Sequence, residues 1–374
     1  MNNYKHLKVY LNDRMVGTLA LADRYLVAFE YTAEWLENGY SISPRSLPLE
    51  KKVFIPKIQP FDGLYGVFQD SLPDGWGRLL VDRFLLKKGI DPNTVNPLNR
   101  LAIVNNAGMG ALTYVPNYEM DHNIETDDLD QIAAECKKLF DTNESDDLDA
   151  LFAMGGSSGG ARPKIYTTVD NEAWIVKFPS SMDAKNIGRQ EYDYSLCAKK
   201  CGIEMTETRL LPSKNCEGYF GTKRFDRNGD KRIHMISVSA LLETSHRYPN
   251  LDYNILMRLV LWLTGDYEEV EKMFRLMCFN VFAHNRDDHS KNFSFLYNEE
   301  EKRYKLSPAY DLTYSNSLGG EHATCVNGNG SNPTKKDLLA VADNINLDHK
   351  KALKIADSIE EIVKNDLDRY LTVR

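Results

Sequence analysis

Apolar and polar residues alternate at the start of the chain. Leu7-Lys8-Val9-Tyr10-Leu11 has the period of a strand, Asn12-Asp13-Arg14 is a turn signal, and residues 16–21 return as a second strand of a hairpin. A third strand is expected over residues 25–31, and the prolines scattered through 41–60 predict irregular or edge structure. The period then lengthens. Leu79, Leu80, Phe84 and Leu85 form one face of a helix that Ser71 or Asp74 is expected to cap and Gly89 to end. A glycine-containing turn over 105–110 precedes a strand at 111–115. Acids dominate residues 119–149, with a helix at about 129–140 between two acidic loops whose charge reads as a solvated face. Strands follow at 164–169 and 172–178, then a helix over 190–200 ending at Gly202. Residues 218–227 read as a strand running into a short connector. Two long apolar-periodic helices are expected over 251–263 and 267–282, and a hairpin turns at Asn298-Glu299-Glu300.

Composition narrows the class. A chain of 374 residues is too long for one compact core. Its 42% hydrophobic and 27% charged residues are ordinary for a globular protein. The net charge of −8 argues against nucleic-acid binding through a general basic surface. The six cysteines include no CxxC pair, so they read as small buried hydrophobes. No run approaches a membrane span and the start carries no apolar signal region, so a cytoplasmic location is expected.

Candidate chemistry centres on Asn280-Val281-Phe282-Ala283-His284-Asn285-Arg286-Asp287-Asp288-His289-Ser290-Lys291-Asn292-Phe293, where an apolar helix meets a polar loop. Asp287 and Asn292 are separated by four residues. An acid and an amide at that spacing suit phosphoryl transfer: the acid orients a hydroxyl and accepts its proton, and the amide oxygen holds a divalent metal. Upstream, Met154-Gly155-Gly156-Ser157-Ser158-Gly159-Gly160 precedes strands rather than a helix, which fits a glycine flap between strands rather than a P-loop. Lys177 ends a strand and Glu191 lies fourteen residues later on a helix, the kinase arrangement of lysine and glutamate, with Asp193 as an alternative partner. The connector Lys223-Arg224-Phe225-Asp226-Arg227 stands where a hinge would read adenine through its backbone, with Asp226 in reach of the ribose, and Asp311 stands where a second metal-binding acid belongs. His284, Asp287, Asp288 and His289, with Asp311 and His322, also resemble a metal-hydrolase cluster. That alternative leaves the flap and Lys177 without a role. His284 and His289 read better as loop scaffolding.

These residues resemble the HipA-type serine/threonine kinases, toxin components of bacterial toxin–antitoxin pairs. The likeness rests on Ser71-Leu72-Pro73-Asp74-Gly75-Trp76-Gly77, the segment 155–164, Ile175-Val176-Lys177-Phe178-Pro179, Lys223-Arg224-Phe225-Asp226-Arg227, Asp287-Asp288-His289-Ser290-Lys291-Asn292-Phe293 and Pro308-Ala309-Tyr310-Asp311. It implies an α+β, protein-kinase-like bilobal fold. A β-rich N-terminal subdomain would span 1–118, an acidic helix and linker 119–149, a small lobe with flap and hinge 150–227, and a mainly helical catalytic lobe 228–374. ATP is expected between the lobes and Mg²⁺ on Asn292 and Asp311. Asp287 is the expected general base and Lys177 the phosphate-binding lysine. Ser157, Ser158, Gly159, Gly160, Lys223, Phe225, Asp226, Glu191, His289 and Lys291 stand on the nucleotide side. The resemblance further implies autophosphorylation of a flap serine, Ser157 by position with Ser158 adjacent, which silences the enzyme. It implies a translation-related protein substrate such as an aminoacyl-tRNA synthetase, a link to persistence, and a helix-turn-helix antitoxin that carries the chain to DNA. A kinase-shaped co-repressor acting mainly through that complex is the alternative function.

Overall fold

The computed structural model describes residues 4–372 apart from 24, 105–107, 119–127, 143–144, 146–147, 157 and 318. Ser157, the start of the expected turn over 105–110 and most of the two acidic loops therefore lie outside the described residues. The chain forms two compact units, Met1–Gly188 with Leu210–Ser245, and Arg189–Arg209 with His246–Arg374.

Unit one begins with the expected strands. β1 (His6–Leu11) buries Leu7, Val9 and Leu11 and leaves Lys8 outside, the period of a half-buried strand. It pairs antiparallel with β2 (Arg14–Leu21) across a two-residue turn in which Asn12 takes φ 51°. β3 (Val27–Tyr31) extends the sheet beyond β2. The short helices α1 (Ala33–Asn38) and α2 (Gly66–Gln69) flank an irregular stretch that meets β3 at one bridge, Phe29 to Phe54. α3 (Gly75–Lys87) ends as expected, with Gly89 at φ 73° and the Gly89 and Ile90 amides donating to Leu86 O and Leu85 O. Its start corrects the sequence reading. Neither side chain caps the helix: the Ser71 hydroxyl pairs with the Tyr114 hydroxyl at 2.7 Å, and the Asp74 carboxylate accepts from Gly160 N–H. Tertiary partners take both groups. α4 (Pro97–Val104) leads to β4 (Leu112–Val115), which completes the sheet order β3-β2-β1-β4.

α5 (Leu129–Thr142) buries Ile132, Cys136 and Leu139, and α6 (Leu148–Gly155) runs into the glycine segment itself. The second sheet contains β5 (Lys164–Val169) and β6 (Glu172–Lys177). Beyond α7 (Ile187–Lys200), β7 (Thr208–Leu211) and β8 (Tyr219–Lys223) complete it in the order β5-β6-β8-β7. One apolar cluster joins Trp76, Leu80 and Phe84 of α3 with Cys136 of α5, Phe152 of α6, Ile165 and Val176. Burying these faces together binds the N-terminal part and the second sheet into one unit. The short β9 (Arg227–Asn228) and β10 (Lys231–Arg232) form a hairpin, followed by β11 (Met235–Ser237) and α8 (Val238–Leu241).

His234, only 2% exposed, meets Ile42 O through Nε2 at 2.9 Å. Burial pushes its imidazole down to about 4. The unfolded chain takes up this proton near pH 6.5 and the folded chain only near 4, so the stability is whole above 6.5 and drains as pH falls toward 4. Denaturant titrations are expected to show wild type losing about 3 kcal/mol more than His234→Gln across that window. Equal losses would remove His234 as the cause.

Unit two is mainly helical. β12 (Leu251–Asp252) leads into α9 (Tyr253–Thr264), capped by the Asp252 carboxylate on Asn254 N–H at 2.7 Å. α10 (Tyr267–Phe282) buries Val270, Met273, Phe274 and Met277 at helical spacing. β13 (Ser294–Asn298) and β14 (Arg303–Leu306) form the expected hairpin, and β15 (Thr324–Cys325) pairs parallel with β12. α11 (Lys335–Asn344) and α12 (His349–Leu371) close the chain, α12 burying Ala352, Ile355, Ile359 and Val363. Among the described residues no helix is long and apolar enough to cross a membrane.

Candidate active site

In unit one the glycine segment packs against the start of β5, which pairs with β6: a Cβ on Gly155 would lie 2.5 Å from Lys164 O. Those strands are joined by Asp170-Asn171, both at positive φ (52° and 61°), a two-residue turn that sets the register. Lys164 therefore stands directly opposite Lys177, on the same face of the sheet. Lys164 is 8% exposed, and a Cβ on Gly160 would lie 2.8 Å from its Nζ. Gly160 holds φ 82° there, so only glycine carries the backbone this closely over the ammonium. The Lys177 Nζ lies 5.6 Å from the Phe220 ring centroid. Sequence reasoning singled out Lys177 and missed Lys164. The signal was present, because a two-residue turn after Val169 places residues 164 and 177 opposite each other.

Several expected nucleotide contacts are committed elsewhere. Ser158 is fully buried, and its hydroxyl and its amide both donate to Gly155 O, at 2.6 and 3.0 Å. The Gly160 amide is given to Asp74. Lys223 Nζ pairs with Glu172 at 2.9 Å, and Phe225 is half-buried. Asp226 corrects the ribose reading: it is 0% exposed, with its carboxylate bonded to Arg224, to Arg227 at 2.7 Å and to Gly110 N–H at 2.7 Å. Burial alone would raise this carboxyl, but the two guanidiniums outweigh it and hold it below the usual carboxylate range. Arg224 and Arg227 both donate to Gly108 O, so the connector anchors the loop before β4.

In unit two Glu191 is buried on α7, while its neighbour Asp193 accepts from Tyr370 OH at 2.6 Å and from Arg189 and Arg369. Asp193 thus ties α7 to α12 and is no substitute for Glu191. The loop after α10 carries two adjacent acids with opposite environments. The Asp287 side chain is 63% exposed, and its carbonyl accepts from Asn292 Nδ2 at 2.7 Å. That bond turns the Asn292 amide oxygen away from Asp287 O. His289 Nδ1 accepts from Lys291 N–H at 3.3 Å, which makes His289 part of the loop scaffold. The Tyr310 hydroxyl donates to Lys291 O at 2.6 Å and accepts from Ser294 at 2.6 Å. Lys291 precedes Asn292 and Tyr310 precedes Asp311, so this bond brings the two proposed metal ligands toward each other. Asp311 holds φ 55°. An amide oxygen and a carboxylate are the hard donors Mg²⁺ takes.

Asp288, fully buried, accepts from Tyr253 OH at 2.9 Å, His322 Nδ1 at 3.0 Å and Thr324 N–H at 3.1 Å. Asn280 donates to the Tyr253 hydroxyl and accepts from Asn285, both at 2.9 Å. Burial, with Asp288 beside it, raises the Tyr253 hydroxyl well above its ordinary range and keeps it a donor. Of the His/Asp cluster weighed as a hydrolase centre, Asp288 and His322 therefore form a buried hydrogen-bonded support, while Asp287 is exposed. Among the described residues no group of three His, Cys, Asp or Glu side chains could hold a metal ion. His284 stacks on Tyr314 with ring centroids 6.3 Å apart, and burial with the nearby Arg286 lowers its pKa.

Comparison with known proteins places this arrangement. Residues 156–366 match the HipA-like C-terminal domain and residues 7–115 the HipA N-terminal domain. "Putative kinase Y4dM" of Sinorhizobium fredii is 27% identical over 153 residues, 37% of each chain. A "Putative kinase" of Haemophilus influenzae is 22% identical over 181 residues, 42% of this chain and 52% of that one. The chain thus spans about half or less of the length of these relatives. A solved structure described as "Shewanella oneidensis MR-1 Toxin Antitoxin System HipA, HipB and its operator DNA complex" superposes with a TM-score of 0.72 at 18% identity, covering 98% of this chain and 90% of that one. At that identity the likeness shows the fold. With both HipA domains matched in order and the HipA fold along its length, the chain belongs to the HipA family.

Proposed function

We propose that the protein is an ATP- and Mg²⁺-dependent serine/threonine protein kinase. The observation that carries this reading is the Lys164–Lys177 pair on one face of the sheet, with the glycine flap over Lys164. Two ammonium groups on one face of the sheet can both make charge-assisted contacts to nucleotide phosphates. Lys164 and Lys177 bind and orient the phosphates. Asn292 and Asp311 would hold Mg²⁺, which when bound offsets the charge that develops on the transferred group. Asp287 orients the substrate hydroxyl and accepts its proton as the hydroxyl oxygen bonds to the γ-phosphorus and the bond to ADP breaks. Family likeness supports a translation-related target such as an aminoacyl-tRNA synthetase and a role in persistence. The HipA solved with HipB and operator DNA supports an antitoxin partner that contacts DNA, since a chain of net charge −8 has no general basic surface. Autophosphorylation of the flap falls to Ser157, because the Ser158 hydroxyl is buried and already donated to Gly155 O.

The full chain with Mg²⁺ and γ-labelled ATP is expected to place label on serine or threonine of itself or of a lysate protein. A charge-assisted contact is worth about 1.5–3 kcal/mol, so Lys164→Met and Lys177→Met should each weaken ATP binding about 10–100-fold. Absence of label in both settings sinks the kinase reading. Unchanged affinity in both variants sinks the phosphate site.

A further inference from the structure

The turn Ser71–Gly77 carries part of the family likeness, yet none of the chemistry above uses it. Its second half lies against the flap through Asp74 and Trp76. Asp74 Oδ1 accepts from Gly160 N–H, and Trp76 N–H donates to Gly160 O at 2.9 Å. One flap residue thus has both its backbone groups clasped by the first residues of α3, and it caps that helix in place of a local side chain. Four residues further along the flap, Lys164 O accepts from Trp76 Nε1 at 3.2 Å, so the same helix end grips the flap at two points. Gly77 is the contact surface: a Cβ there would lie 2.3 Å from Ser158 O.

We propose that this turn is a latch that holds the glycine flap closed over Lys164, with Asp74 as its positioning residue. The inference rests on the phosphate-site reading of the flap and extends it to what sets the flap's position. A latch acts on the closed fraction of the flap. Losing it raises the apparent dissociation constant for nucleotide in proportion to the closed state lost, while the chemical step at saturation is spared.

The test uses the full chain with Asp74→Ala, Asp74→Asn and Gly77→Ala. The asparagine keeps an acceptor for Gly160 N–H, and the alanine at position 77 favours the helix while forcing the flap off it. Asp74→Ala and Gly77→Ala are expected to raise KM for ATP about tenfold with kcat within about twofold, and Asp74→Asn to recover most of the loss. Amide exchange of the 158–161 peptide should accelerate in the same two variants and not in α10. Wild-type-like exchange in Asp74→Ala overturns the latch, whatever the nucleotide result. Faster exchange with unchanged KM overturns its link to nucleotide, and a lowered KM would show Asp74 competing with phosphate instead. If wild type binds no ATP, the phosphate-site reading falls while the exchange comparison still decides the latch.

Discussion

Asp287→Ala is expected to lower phosphotransfer from ATP by about 10²–10⁴-fold, the range for removing a general base. The fold should not notice the change. The side chain is 63% exposed, and the bond that shapes the loop runs from Asn292 to the Asp287 backbone carbonyl, which alanine keeps. Exposed substitutions of this kind stay within about 0.5 kcal/mol. Label transfer and thermal unfolding measured on one preparation separate the two effects. A variant retaining more than about a tenth of the wild-type rate would falsify the base assignment, since even the low end of the range lies below that.

The next residue should behave in the opposite way. Asp288→Ala removes the acceptor shared by Tyr253, His322 and Thr324, and it leaves three buried donors around a small cavity. Breaking a buried charged network from one side costs about 3–5 kcal/mol, so unit two should unfold at markedly lower urea. Activity would fall with it, through loss of the loop that presents Asp287 and Asn292. Asp288→Asn keeps one acceptor oxygen and should recover part of the stability. If Asp288→Ala costs under about 1 kcal/mol, the network does not support the loop. Because two compact units are present, the unfolding should be followed by probes in each.

The contrast between Asp287 and Asp288 marks where reading along the chain stops. Both are acids in one polar loop, and nothing local separates them. Asp288 becomes structural because Tyr253, His322 and Thr324, each more than thirty residues away, converge on it. Asp74 behaves alike: read as a helix cap, it is taken by Gly160 N–H, 86 residues on. Asp226, read as a ribose contact, is held by Arg224 and Arg227 beside it and by the distant Gly110 N–H. A carboxylate accepts only a few hydrogen bonds, and a partner that the tertiary fold brings can displace the one that sequence places nearby.

Periodicity by itself determined the strands β1 to β3, the hairpins β5–β6 and β13–β14, and the long helices α9 and α10, because these depend on which face of a local element is apolar. It also contained the Lys164–Lys177 pairing, since a two-residue turn leaves a hairpin one register. The motifs carried the family, and both family domains lie where those motifs stand. Only the tertiary structure decided that α6 runs into the glycine segment, that α3, α5 and α6 share one core with the second sheet, and that the flap is gripped by Asp74 and Trp76. Those outcomes depend on which apolar faces are buried against each other and which buried polar groups then find partners, and neither is a property of any local stretch of chain.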